Sequence, residues 1–355
     1  MSADIIRPEI RALSSYQVQD AAGMIKLDAM ENPFAFPESL AAGLSGELAT
    51  AMLNRYPSAP ASELKAEIRR AMHIPATLDI LLGNGSDEII QLIAMATARP
   101  GASLLSVEPA FVMFRMITTF CGLHYIGVPL RADFSLDQPA ILAAMTREQP
   151  AVTFIAYPNN PTGNLFDRTA IREIIAAAGH YGGLVVIDEA YFAFSRESFI
   201  DEIAGHPNAV LMRTVSKLGL AGIRLGMLIG RAEWLEQFDK LRLPYNINVL
   251  TQTAASYAMR HYAMLLQQTE LLKAERSRLA VALERIERIQ HFPSEANFIL
   301  IRVPDAALTF RRLLSRKILV KNTSASHPLL TNTLRLTVGT PAENDALIAA
   351  LEDSI

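Results

Sequence analysis

Between about residues 79 and 230 the chain repeats one pattern, a short apolar strand followed by an amphipathic helix, and few folds accept it. Strands are predicted at 79–82, 103–107, 124–128, 152–156, 184–188, 210–214 and 223–229, with helices at 86–98, 138–147 and 168–180 among them. Alternation of this kind builds a mostly parallel sheet of seven strands covered by helices on both faces. Ligands of such sheets bind beyond the carboxyl ends of the strands. Residues that directly follow a predicted strand are therefore the first to test for chemistry.

Four strand ends carry suitable groups. After 79–82 comes Gly83-Asn-Gly-Ser-Asp-Glu88, in which the N–H groups of Gly85, Ser86 and Asp87 open a helix, where the dipole favours an anion; a Ser or Asp N-cap without a ligand is the plainer reading of the motif alone. After 103–107 comes Phe111, whose ring either stacks on a planar ligand or joins the core. After 152–156, the turn Pro158-Asn-Asn-Pro-Thr-Gly163 offers the Asn160 amide. The run 184–188 is uncharged until Asp188, with Tyr191 three residues on. A carboxylate at the mouth of a buried strand needs a partner, and a protonated pyridine nitrogen would serve; a capping Asp beside a packed Tyr is the plainer alternative.

The fifth strand end holds Lys217, alone among small, apolar and hydroxyl residues in Arg213-Thr-Val-Ser-Lys-Leu-Gly-Leu-Ala-Gly-Ile-Arg224. A lysine in such a setting can form a Schiff base with an aldehyde. Thr214, Ser216 and Arg224 are side chains suited to one phosphate, Arg supplying a bidentate fork. Together they suggest pyridoxal 5'-phosphate, although Ser-X-Lys alone also fits a surface-loop lysine. The five ends taken jointly are harder to attribute to chance than any one of them.

Outside the repeat, residues 1–35 read as an irregular arm, with prolines at 8, 33 and 37, of the sort that lies across something larger. The large domain is expected over 36–245, beginning with Asn54-Arg-Tyr-Pro57 and a helix at 61–72. A helix at 232–241 and one long helix at 249–289 follow, the linking segment being 246–290. A smaller α+β domain at 291–355 has strands at 297–302, 318–320 and 333–338 and helices at 306–315 and 342–351. In it Arg335 interrupts an apolar strand; a buried guanidinium is costly unless an anion meets it, either a substrate group or an internal carboxylate.

Composition closes several other routes. Lys and Arg number 33 against 36 acidic residues, a formal charge of −3 with no basic stretch, so nucleic acid and anionic membranes are poor partners. The one cysteine, Cys121, forms no internal disulfide, and no Cys/His spacing suits a metal. The first ten residues carry Asp4, Arg7 and Glu9 and lack the apolar core of a signal peptide, and no apolar run reaches membrane-spanning length. A cytoplasmic protein is expected.

Asn160-Pro-Thr-Gly163, Asp188-Glu-Ala-Tyr191, Ser216-Lys217 with Arg224, and Arg335 resemble the pyridoxal-phosphate aminotransferases of fold type I. Ser15-Tyr16-Gln17, Asn54-Arg-Tyr-Pro57, Gly83 to Glu88, Arg213 to Lys217 and Leu334-Arg-Leu-Thr-Val-Gly-Thr340 bring the resemblance nearest to their histidinol-phosphate branch, over nearly the whole chain. The resemblance implies a homodimer with sites at the subunit boundary, and transfer of an amino group between L-histidinol phosphate and 2-oxoglutarate. It implies that Lys217 carries the cofactor and then acts as acid and base, that Asp188 pairs with the pyridine nitrogen, that Tyr191 and Asn160 bond the ring oxygen, and that Phe111 stacks on the ring. The cofactor phosphate would lie among Gly85, Ser86, Asp87, Thr214, Ser216 and Arg224, with Tyr56 coming from the other subunit; Arg335 and Tyr16 would hold the substrate's anionic end. Where the family commonly has a second arginine for the substrate phosphate this chain has Lys321, which keeps the charge without the planar fork. Rivals on the same scaffold are an aromatic transaminase and a phospho-amino-acid decarboxylase. A rival of another class, a non-catalytic cofactor-binding regulatory domain, would need a DNA-binding segment for which the chain has neither spare length nor basic charge.

Overall fold

The structure is a computed structural model and describes residues 5–15 and 19–355. Seven strands form the central sheet: β2 (Asp79–Gly83), β3 (Ser103–Glu108), β4 (His124–Pro129), β5 (Val152–Ala156), β6 (Leu184–Asp188), β7 (Ala209–Thr214) and β8 (Gly226–Gly230), after a short β1 (Ile25–Leu27) that belongs elsewhere. Their order is β2-β8-β7-β6-β5-β3-β4, and only β8 runs antiparallel to its neighbours. The middle strands have no polar face because both sides are covered. Along β6, Val185 and Ile187 join one apolar layer while Leu184 and Val186 join the other. The helices Ser86–Thr97, Val112–Phe120, Gln138–Glu148 and Arg168–Gly179 supply those layers.

A second sheet gathers β1 with β9 (Gln290–His291), β10 (Phe298–Arg302), β11 (Ile318–Asn322) and β12 (Thr333–Thr337), in the order β1-β11-β12-β10-β9. Leu27, Ile299, Val320 and Leu336 build its core with Leu279, Leu283, Leu347 and Leu351 from helices Tyr262–Glu284 and Pro341–Glu352.

Four local expectations differ from the structure. The arm is not wholly irregular, since Ile25–Leu27 pairs in parallel with Ile318–Val320; three residues become a strand only because a distant edge receives them. The helix expected at 249–289 is two, Val249–Arg260 and Tyr262–Glu284, broken where His261 leaves helical geometry at φ −109°, ψ 25°. The strand expected from 223 starts only at Gly226, because Ala221–Ile223 is a 3₁₀ turn and Arg224 takes a left-handed conformation at φ 51°. Helices Glu38–Ala49 and Val112–Phe120 were not anticipated, the first because it buries no residue and has no apolar stripe to reveal it.

Candidate active site

The carboxyl ends of β2, β3, β5, β6 and β7 and the start of β8 converge on one cavity of about 840 Å³, mouth included. Ten residues anticipated from sequence line it: Ser86, Asp87, Phe111, Asn160, Asp188, Tyr191, Thr214, Ser216, Lys217 and Arg224. The parallel strands explain the meeting, since each delivers its last residue to the same edge.

One end of the cavity is a helix N-terminus. Helix Ser86–Thr97 has Gly85 at its N-cap with no side-chain cap, so its first N–H groups are left for a ligand or water. Gly226 lets β8 approach this turn, because a Cβ there would lie 2.6 Å from both Gly85 C and Ser86 N. Arg224 reaches over the same turn: a Cβ on Gly85 would stand 2.7 Å from its Nη2, which lies 3.7 Å from Asp87 Oδ2. Thr214 Oγ1 accepts from Ser216 N at 3.2 Å and donates to Leu225 O at 3.0 Å, fixing the chain between the two strands. Backbone donors, two hydroxyls and a guanidinium thus surround one small volume, a set suited to a phosphate.

At the floor, Asp188 is 5% exposed and accepts from Ala190 N at 3.0 Å. Burial pushes its carboxyl up to about 7; the Ala190 N–H opposes this, the charges of Asp87 and Glu189 add to it, and Lys217 opposes it. Lys217 sits on the 3₁₀ turn Ser216–Leu218 directly after β7, and its Nζ donates to Ala29 O at 3.2 Å. Burial holds its amine down at about 8, helped by the charges of Arg335 and Arg224 and opposed by Glu31 and Asp87. An acid and an amine that both titrate near neutrality therefore face one cavity, a combination found at sites of proton transfer.

Asn160 Nδ2 donates to Tyr191 OH at 3.1 Å, and Arg335 Nη1 donates to Asn160 Oδ1 at 2.6 Å. Arg335 Nη2 also donates to Asp28 O at 2.8 Å, so the guanidinium, on β12, joins the loop after β5 to the arm. Neighbouring Asn159 donates through Nδ2 to Pro109 O at 3.0 Å, tying the loop after β5 to the one that carries Phe111.

Five anticipated residues are not among the cavity's lining, of which Gly85 is the N-cap beside Ser86. Arg335 is one hydrogen bond from the cavity, through Asn160. Lys321 is its cross-strand partner on β11 and does not line the cavity. Tyr56 is 81% exposed, stacks on Tyr245 with centroids 4.5 Å apart, and does not line the cavity of its own chain. Tyr16 lies outside the described residues. The cavity also has walls not foreseen: Ala29, Met30 and Glu31 of the arm, and Ala190 and Ala221. Asn32-Pro33 at the end of that arm segment was a visible turn signal, but nothing local indicates where such an arm docks.

Residues 22–351 match the family model described as aminotransferase class I and II. The chain belongs to that family. It is 52% identical over 355 residues to histidinol-phosphate aminotransferase 2 of Cupriavidus pinatubonensis, covering 98% of this chain and 97% of the relative. It is also 52% identical to the histidinol-phosphate aminotransferase of Chromobacterium violaceum, with 98% and 97% covered. The fold of this aminotransferase matches the crystal structure of the Sinorhizobium meliloti histidinol-phosphate aminotransferase in complex with pyridoxal-5'-phosphate, with a TM-score of 0.86, 23% identity, and coverage of 98% of this chain and 97% of that one. The cavity of this aminotransferase fits that cofactor on its own chemistry. It is lined by an amine, an uncapped helix N-terminus with an arginine, and a buried carboxylate whose hydrogen bond comes from the Ala190 N–H. Among the described residues no cluster of His, Cys, Asp and Glu is arranged to hold a metal ion.

Proposed function

We propose that this aminotransferase uses pyridoxal 5'-phosphate to exchange an amino group between L-histidinol phosphate and 2-oxoglutarate, the other pair being imidazole acetol phosphate and L-glutamate. The observation that carries the cofactor is the placing of Lys217 and Asp188 on one cavity with the uncapped helix at its end. The substrate rests on the two relatives of that name, each matched over nearly its whole length. When bound, pyridoxal phosphate supplies an aldehyde that receives the amino group and a cationic ring that stores the electron pair released at the substrate carbon.

The residues then divide the work. Gly85, Ser86 and Asp87 offer N–H groups to the cofactor phosphate, with Thr214, Ser216 and Arg224. Phe111 covers one face of the ring, and Tyr191 and Asn160 hydrogen-bond its oxygen. Asp188 holds a proton on the ring nitrogen, a charge pairing that relieves the burial of its own carboxylate. Lys217 holds the cofactor and later accepts and returns the proton at the substrate carbon; an amine depressed to about 8 does both near neutral pH. Arg335 and Tyr16 receive the substrate's anionic end, with Lys321 adding charge from the neighbouring strand. One guanidinium thereby accepts a phosphate and a carboxylate in turn.

The active unit is a homodimer in this reading. Leu53, Tyr56 and Leu243 are 72%, 81% and 74% exposed, and the Tyr56–Tyr245 stack joins their segments into one apolar surface. Pairing through it would cover that surface and bring Tyr56 to the second copy's cofactor phosphate. The charge of −3 and the lone Cys121 suit a reducing, cytoplasmic setting with no nucleic-acid or membrane partner.

Single-turnover absorbance of the cofactor-loaded protein tests the substrate. Histidinol phosphate should discharge the bound chromophore faster than phenylalanine or threonine phosphate. A response to phenylalanine alone would transfer the assignment to aromatic amino acids, and release of carbon dioxide from threonine phosphate would make the protein a decarboxylase.

A further inference from the structure

The arm brings to the cavity wall a carboxylate that the proposed reaction leaves unused. Glu31 is held between fixed neighbours. Met30 N donates to Thr337 Oγ1 at 3.0 Å and Met30 O accepts from Asn297 Nδ2 at 2.9 Å, while Asn32 Nδ2 donates to Gln268 Oε1 at 3.0 Å. Met30 itself stands at φ 52°, a conformation kept only where the surroundings impose it. The residues on either side of Glu31 are thus tied to the C-terminal sheet and to helix Tyr262–Glu284, and Glu31 lines the cavity with its side chain 45% exposed.

The cavity's other carboxylates are committed. Asp188 is buried at the floor, and Asp87 faces Arg224 at 3.7 Å. Among the described residues Glu31 forms its ion pair with Lys26 of its own arm, which also lies 4.0 Å from Asp28. One lysine shared between two acids does not serve Glu31 alone, and the half-exposed carboxylate keeps room for a further donor. The other charged groups about it are Lys217, on the turn after β7, and Arg335, whose Nη2 holds Asp28 O. Arg335 is suited to a substrate anion and Glu31 to a substrate cation, so the site offers a group for each beside the amine.

We propose that Glu31 is a specificity-determining residue that accepts an N–H from a cationic ring on the substrate, an imidazolium in the reading above. A neutral phenyl ring would have to desolvate the same carboxylate without return. A dicarboxylate would be repelled by it. The inference rests on the proposed function, because the ring that it recognises belongs to that substrate.

The two half-reactions of the cofactor-loaded protein separate the claims, since titration of Lys217 and Asp188 affects both while only one substrate bears a ring. For Glu31→Gln at pH 6, kcat/KM for histidinol phosphate should fall about fivefold, the scale of a partly exposed ion pair. The loss should shrink toward pH 8, as the imidazole loses its proton near about 6.5. With glutamate the same variant should rise. Binding of histidinol, followed by calorimetry, should weaken at pH 6 in parallel, and Glu31→Asp should restore part of it. A variant that leaves histidinol phosphate kinetics unchanged across this range, or that slows both half-reactions alike, overturns the role of Glu31. A wild-type protein that does not use histidinol phosphate overturns the proposed function and this inference with it.

Discussion

Removing Arg213 while keeping Glu189 would leave a charge in the core. Glu189 has a side-chain exposure of 0% and Arg213 one of 4%, with Nε and Nη2 donating to Glu189 Oε2 at 3.0 and 2.9 Å. Loss of one partner of a buried pair costs about 3–5 kcal/mol. Phe199 N at 2.6 Å and Ser198 Oγ at 2.9 Å still donate to Glu189, so Arg213→Met should fall near the lower end, about 3 kcal/mol. Replacing both charges, as in Glu189→Gln with Arg213→Met, removes the stranded anion and should recover about 2 kcal/mol relative to the sum of the single changes. Urea unfolding at one fixed protein concentration measures all four corners of this cycle. If the double variant is additive to within about 0.5 kcal/mol, the pair is not coupled and the reasoning is wrong. The pair also matters to the site, because Glu189 follows Asp188 and Arg213 precedes Thr214; it links the ends of β6 and β7.

Three further outcomes follow from the geometry. Lys217, held at about 8 rather than 10.5, should make uptake of pyridoxal phosphate by the cofactor-free protein accelerate with pH and level off above about 8, followed by absorbance; a rate still climbing steeply at pH 10 would contradict this. Asp188 is raised from 3.8 to about 7, so its protonated form stabilises the cofactor-free fold below the unfolded value and that contribution is lost as pH rises through 7; the stability of wild type relative to Asp188→Asn should therefore decline between pH 4 and 7, and a rise would reverse the assignment. Leu243→Glu puts a charge on the 74% exposed leucine and should convert the proposed dimer into monomers with impaired turnover, read by light scattering and assay; a wild type that is monomeric and active, or a variant still dimeric and fully active, would overturn this interface.

The strands that carry the chemistry were legible because each is a short apolar run ending in a turn or a polar residue. Val152–Ala156 and Leu184–Asp188 begin and end where their patterns do. Asp188 stood out for the same reason, as the first charge after a buried run. Arg224 was recognised by type but assigned to a strand, since the period of apolar residues around it does not register a left-handed turn. The arm hid most. Ile25–Leu27 has no strand pattern of its own, and Ala29 and Met30 are placed by partners some 190 to 310 residues away in sequence, such as Lys217 and Thr337. Tertiary pairing of that kind leaves no local trace.

Strand β1 is bonded into the same sheet that carries Arg335, and the residues just after it roof Lys217. The ceiling over the amine and the guanidinium beside it are therefore held by one hydrogen-bonded sheet. Any tilt of the C-terminal sheet toward or away from the large lobe must carry both. Whatever docks on Arg335 is thus coupled mechanically to how tightly the chamber above Lys217 is shut.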